Sequence, residues 1–270
     1  MDSNEKKQWN SMTTSPFQIL VSTVDGGIKE IEEFPAVVVN QVSSEEFLVD
    51  RANVFNYYEK GISKSRNRAI ERATAELCLI SDDDIIFKEN ADQKIIQAFE
   101  DNPLADIITF QVETPDGKPY KEYPRKRHWH DMQSLMNVSS VEIAFRRGKI
   151  LQTDLFFDED FGLGSTFPTG EEYIFLTDAL KKGLNILYLP IPIVVHPKKD
   201  WVSVISDKRL YKAKGAMFYR VFGWLGIYYC FVISLKKGWR SEVNFFINFI
   251  NNLKGIFSYR RLITQKTTIS

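Results

Sequence analysis

Three consecutive aspartates, Asp82, Asp83 and Asp84, follow the apolar run Leu77-Cys78-Leu79-Ile80 and precede Ile85-Ile86. A buried strand ending in carboxylates gathers negative charge at a sheet edge, and the cluster repels itself unless a cation is bound. Hard oxygen ligands suit magnesium or manganese, which bridge protein carboxylates to substrate phosphates. A polar turn capping the next helix is the competing reading. Glu171 and Glu172 open a helical pattern, where the dipole keeps carboxylates ionised as a general base requires. Two acids that merely suit a helix start would look the same. Arg66 and Asn67 begin another helix, where backbone N–H groups favour phosphate and an arginine can pair bidentately with a diphosphate. A surface arginine on a basic face with Lys64, Arg68 and Arg72 is the plainer alternative.

The elements that must position these groups alternate along the first 120 residues in the manner of a parallel α/β sheet. Phe17 to Val24, Pro35 to Asn40, Glu76 to Ser81 and Asp106 to Val112 read as strands. Ser63 to Ala75 reads as a helix, and Asn90 as the cap of another that stops near Pro103. Ligands of open α/β sheets bind beyond the carboxyl ends of the strands, which is where Thr23, Asn40 and the triplet fall. On an extended backbone Asp82 and Asp84 point one way and Asp83 the other. Further along, Val141 to Phe145 is a strand and Glu171 to Lys182 a helix closed by Gly183. Asn185 to Leu189 and Ile191 to Val195 read as two strands leading to His196-Pro197. The loop Tyr123 to His130 mixes cations and aromatics. It would close over a diphosphate, stack a sugar ring on Trp129, or simply be solvated.

Length allows one large domain, or one with an appendage. Two cysteines, Cys78 and Cys230, give neither a disulfide framework nor zinc spacing, so a reducing compartment is expected. Residues 1–14 read as a flexible tail without the apolar core of a signal peptide. The formal net charge of zero hides a division. Residues 201–270 hold twelve Lys and Arg against two Asp and Glu, so this end seeks an anionic partner.

The segments Gly61-Ile62-Ser63-Lys64-Ser65-Arg66-Asn67-Arg68-Ala69, Leu79 to Ile85, Phe157-Asp158-Glu159-Asp160-Phe161-Gly162 and Gly170-Glu171-Glu172-Tyr173 together resemble the family 2 inverting glycosyltransferases of bacterial surface-polysaccharide assembly. The resemblance covers roughly residues 15–197. It implies a GT-A fold, α/β and Rossmann-like, with a mostly parallel sheet flanked by helices over 15–200 and a helical extension over 201–270. It also implies a nucleotide-diphosphate sugar donor, UDP-sugar favoured, and a divalent metal, manganese or magnesium.

By that resemblance Thr23, Asp25 and Asn40 line the nucleoside pocket, Arg66 and Asn67 meet the diphosphate, and Asp82 and Asp83 complete the donor site. Asp84 is the expected metal ligand, with Asp82 and His196 as further members of the shell. Glu172 takes the position of the base and Glu171 orients the acceptor. Two departures stand out. The common Glu-Asp pair is Glu-Glu here, and Asn40-Gln41 replaces the usual aspartate after the second strand, which leaves the choice of base open.

In the basic end, Ala216 to Leu235 approaches the length of a membrane span but contains Arg220 and glycine breaks, and Val243 to Ile256 repeats an apolar-aromatic pattern. Interfacial helices, a span, and a tail packed as core or dimer interface all fit; the first is favoured. The aliphatic and aromatic load argues for lipid and against nucleic acid. The expectation is a cytoplasmic enzyme, peripheral on the inner face of the membrane, with a lipid-linked or oligosaccharide acceptor. A sugar-phosphate nucleotidyltransferase and a non-catalytic scaffold are the rivals. Asp25-Gly26-Gly27-Ile28-Lys29 is a poor version of the nucleotidyltransferase's loop.

Overall fold

The computed structural model describes residues 15–27, 34–197, 207–239 and 244–269. The expected N-terminal tail, Ile28 and Lys29, and Arg240 lie outside them.

Nine strands form one sheet among the described residues: β1 (Phe17–Val24), β2 (Ala36–Gln41), β3 (Val54–Tyr57), β4 (Leu77–Asp82), β5 (Ile86–Phe87), β6 (Ile107–Glu113), β7 (His128–Trp129), β8 (Ile143–Arg146) and β9 (Ile186–Val195). The order is β3-β2-β1-β4-β8-β6-β9-β5, with β7 also on β9. β1 and β4 lie at the centre. Ile19, Leu20, Val21, Leu79 and Ile80 are wholly buried, as near-continuous apolar runs in a doubly covered sheet must be. Parallel register sets Thr23 beside Asn40 and Ser22 beside Asp82, so the carboxyl ends of β1, β2 and β4 share one edge.

The sheet is mostly parallel, with antiparallel pairings mixed in. β8 runs antiparallel between β4 and β6, and the short strands β5 and β7 pair antiparallel with β9. β9 is one strand where two were expected. Proline supplies no ladder donor, and irregular register around Gln111, opposite Pro192, absorbs Pro190 and Pro192 without ending the pairing.

Helices α1 (Ile62–Arg72) and α2 (Ala91–Asp101) cover opposite faces. Asn90 does not cap α2 with its side chain; it takes a left-handed turn, φ 56°. α3 (Arg147–Gln152) and α4 (Glu171–Lys181) follow on the α1 side.

The C-terminal helices α5 (Asp207–Phe222), α6 (Gly226–Trp239) and α7 (Phe245–Ile269) share that same core through Ala213, Phe218, Val221, Cys230, Ile256 and Tyr259. Arg220 anchors α5 by pairing with Asp158 at 2.8 Å and Asp178 at 2.8 Å. Lys208–Lys236 is long and apolar enough to cross a membrane by composition, yet it forms no continuous span. The chain turns at Gly223–Leu225 (Gly223 φ 59°) and doubles back. Tyr229 stacks on Phe222 at 4.2 Å and Phe218 at 5.9 Å, although residues eleven apart on a straight helix would sit about 16 Å apart along its axis.

Candidate active site

β4 ends at Asp82, so the alternation of an extended backbone lapses within the triplet and the three carboxylates diverge. Asp82 turns to Arg66, Oδ1 lying 3.5 Å from Nη2. Asp83 accepts a 2.6 Å hydrogen bond from Thr23 Oγ1. Asp84 lies 3.3 Å from His196 Nε2. The structure thus joins Asp84 with His196 and turns Asp82 toward Arg66, all of them lining one cavity.

The other ring nitrogen of His196 lies 2.6 Å from the Pro197 carbonyl oxygen. A carbonyl only accepts, so Nδ1 donates there, and Nε2 is the ring atom that faces the Asp84 carboxylate. Such a pair could hold a cation. Carboxylate oxygen and imidazole nitrogen are suitable donors for manganese or magnesium. Among the described residues no cluster of three or more His, Cys, Asp or Glu could hold a metal, so the rest of a coordination shell would have to come from substrate and water.

Arg66, expected at the diphosphate, is buried among three carboxylates. Its Nη1 lies 3.2 Å from Glu171 and 3.7 Å from Glu172, and its Nη2 reaches Asp82. Burial alone would lower the guanidinium pKa; the three acids outweigh it and raise it. One cation is shared three ways, and the acids are not equally served. Burial pushes the Glu171 carboxyl up to about 8, Glu172 pushes the same way, and Arg66 only partly opposes them. Glu171 Oε2 has no donor opposite it, so the group is satisfied by holding a proton that it can offer to Glu172. The helix dipole therefore does not keep Glu171 ionised. Glu172, with 21% of its side chain exposed, faces a cavity of about 730 Å³.

That cavity also takes in Thr23, Asp83, Asp84 and His196, so the diverging carboxylates border one space. Its far wall comes from α5 and α6, through Leu210, Lys214, Met217, Phe218 and Ile233. Leu210, Lys214, Met217 and Phe218 fall on one face of α5 at helical spacing, and the doubling back at Gly223 adds Ile233 of α6. Tyr120 and the segment Met136–Val141 close another side.

Several expected donor-site residues are engaged elsewhere. Asn40 is wholly buried; its amide donates to Phe47 O and Asn56 Oδ1 and accepts from Gly26 N. Asn67 clamps the backbone of Phe157 through both ends of its amide. Asp25 holds Ser43 through its N–H and hydroxyl. All three lie outside the cavity lining, whereas Gln41 reaches it while gripping both backbone groups of Gly61. The loop 123–130 is structural as well. His128 and Trp129 pair with β9, and His130, its pKa lowered to about 4 by burial and by His128, is held between Thr109 and Ser134.

Residues 44–162 match the family described as Glycosyl transferase family 2. Over that stretch the chain is similar to glycosyl transferase family 2. The match includes Arg66, the aspartate triplet and the stretch Phe157 to Gly162; Thr23, the glutamate pair and His196 lie outside it. Among curated proteins none matches. Crystal structures of S. aureus TarS share the chain's GT-A fold. TarS 1-349 in complex with UDP is 17% identical with a TM-score of 0.50, over 76% of this chain and 64% of that one. A second TarS structure is 16% identical with a TM-score of 0.51, over 75% and 39%. A third, TarS 1-349, is 14% identical with a TM-score of 0.50, over 91% of both chains. The chain thus spans less than two thirds of the first two structures, and at such identities the likeness establishes the fold alone.

Proposed function

We propose that the protein is an inverting glycosyltransferase. It moves a sugar from a nucleotide-diphosphate sugar, a UDP-sugar by preference, to a lipid-linked or oligosaccharide acceptor in polysaccharide assembly. It works in the cytoplasm at the inner face of an anionic membrane. The observation that carries this reading is one cavity bordered by two unlike carboxylate groups. Asp83 and Asp84 face it from the sheet edge and Glu172 faces it from the start of α4. The family match and the UDP present in the TarS complex support the choice of donor.

Glu172 would act as the base. It takes the proton of the acceptor hydroxyl as that oxygen bonds to the anomeric carbon, while the bond from that carbon to the diphosphate breaks and its electron pair leaves with the diphosphate. Arg66 fixes the Glu172 carboxylate, and the protonated Glu171 behind it adds no second negative charge. Thr23 and Asp83 would meet the nucleoside. Asp84 and His196 would hold manganese or magnesium, whose charge would offset that building up on the departing diphosphate.

Calorimetry of UDP, GDP and dTDP with and without manganese, on wild type and Asp84→Ala, tests the reading. One nucleotide should bind in a manganese-dependent way that the variant loses. Absence of binding under every condition would sink the donor site.

A further inference from the structure

Helix α7 buries Ile256 and Tyr259 in the core, yet much of the rest of it is inverted. It buries Asn248, Asn251, Asn252 and Gly255 and exposes Phe246 (69%), Ile247, Ile250 and Phe257 (58%). A helix on a watered surface does the reverse. Two of the buried amides are joined: Asn252 donates to Asn248 Oδ1 at 2.7 Å and reaches Ser234 of α6 at 3.4 Å, while Asn251 donates to the Ile247 carbonyl. Gly215 of α5 and Gly255 of α7 meet backbone to backbone. A Cβ on either would stand 1.9 Å from a carbonyl oxygen of the other helix. Small residues at the crossing, amides bonded inside and large apolar groups outside are how helices pack when their surroundings are themselves apolar.

Helix α6 continues the pattern. Cys230 and Ser234 face inward while Tyr228, Phe231 and Leu235 face out. The two outward faces adjoin: Phe231 packs on Phe245 and Phe249, and Arg260 lies 4.5 Å over Trp224 at the other end. Trp224 and Leu225 project from the turn between α5 and α6.

We infer that this joint face of α6 and α7 lies in the headgroup and upper acyl region of an anionic bilayer leaflet, parallel to its plane. Charge selects the occupant. Residues 201–270 carry twelve basic and two acidic residues, and Lys254, Arg260 and Arg261 are exposed on α7 itself. A second copy of the chain would set those cations against their own kind, whereas an anionic leaflet supplies the opposite sign. Trp224 and Tyr228 suit the headgroup level, where one end of the ring is apolar and the other wet.

The inner side of the helical layer, made by α5 and α6, matters too. Lys214 and Met217 of α5 and Ile233 of α6 wall the cavity, so the embedded face and the cavity wall are two sides of one layer. Resting here on the glycosyltransferase reading, this placement makes the acceptor a lipid-linked saccharide that stays anchored in the leaflet. The surface itself does not depend on that reading.

The test uses the full chain. Sedimentation with vesicles of phosphatidylcholine and phosphatidylglycerol is compared with phosphatidylcholine alone, for wild type and for Phe246→Ser/Ile250→Ser/Phe257→Ser. Wild type should sediment with the anionic vesicles, and the triple variant at least tenfold less, with an unchanged melting temperature and UDP affinity. Lys254→Glu/Arg261→Glu gives an independent arm and should lose the preference for anionic vesicles. Wild type left in the supernatant, triple-variant binding equal to wild type, or a dimer in solution that the triple variant breaks would each overturn the inference. Vesicle binding without any nucleotide binding would leave the surface standing and remove the glycosyltransferase reading.

Discussion

Helices α2 and α7 have apolar residues at similar helical spacing and opposite burial. α2 puts Ile95, Ala98 and Phe99 against the sheet and gives Gln93, Lys94, Gln97 and Glu100 to solvent. α7 gives Phe246 and Phe257 to its outer surface and keeps Asn248, Asn251 and Asn252 inside. Periodicity shows that a helix has two faces; it does not say which one is inside. That depends on what lies opposite, and here the apolar sheet decides for α2 and the Gly215–Gly255 crossing for α7.

The widest gap between the two helices should come from one substitution made twice. Phe99→Ala empties a filled site and should cost about 3–5 kcal/mol in denaturant unfolding. Phe257→Ala removes an outward ring and should stay within about 0.5 kcal/mol in buffer. Equal costs would mean that Phe257 is buried in solution and would end the comparison.

The chemistry sharpens the same contrast, because the cavity lies where the two kinds of surface meet. Glu172→Gln should lower transfer by roughly 10²–10⁴-fold and leave vesicle binding untouched. The apolar-face variant should do the converse and spare turnover on a water-soluble acceptor. A Glu172→Gln enzyme with near-normal turnover would take the base role from that residue.

At the crossing, Gly255→Leu has no room and should cost about 1–3 kcal/mol or more. Gly148, with open space around its absent Cβ, is the control. If Gly255→Leu melts like wild type, α5 and α7 do not touch as described.

Much of the donor half is legible along the chain because it is built from local runs. The Val and Ile of β1, β2 and β4 are continuous where both faces are covered, and the triplet sits where β4 must stop. β3 and β7 are not legible: Val54–Tyr57 is a half-buried strand at the sheet edge and His128–Trp129 has only two residues. Side-chain partners over long separations are not legible either. The chain shows Arg66 at a helix start and does not show that Glu171, 105 positions away, is its partner. Asn40 and Asn67 look available until the backbone atoms they hold are in place.

The smallest expected effect concerns the proton held in the Arg66 cluster. Glu171 binds its proton up to about pH 8 when folded, against an ordinary carboxyl value of 4.5 when unfolded. Between those values the native state holds a proton that the unfolded chain has released. Its contribution is therefore complete below pH 4.5 and is lost as pH rises toward 8. The slope cannot exceed about 1.4 kcal/mol per pH unit for one proton. Glu171→Gln, which is neutral throughout, should flatten this part of the melting-temperature profile between pH 5 and pH 8. It should also keep more activity than Glu172→Gln, since the amide preserves the uncharged group behind the base. A variant profile that still falls in parallel with wild type would place the proton elsewhere and leave Arg66 balancing three charges rather than two.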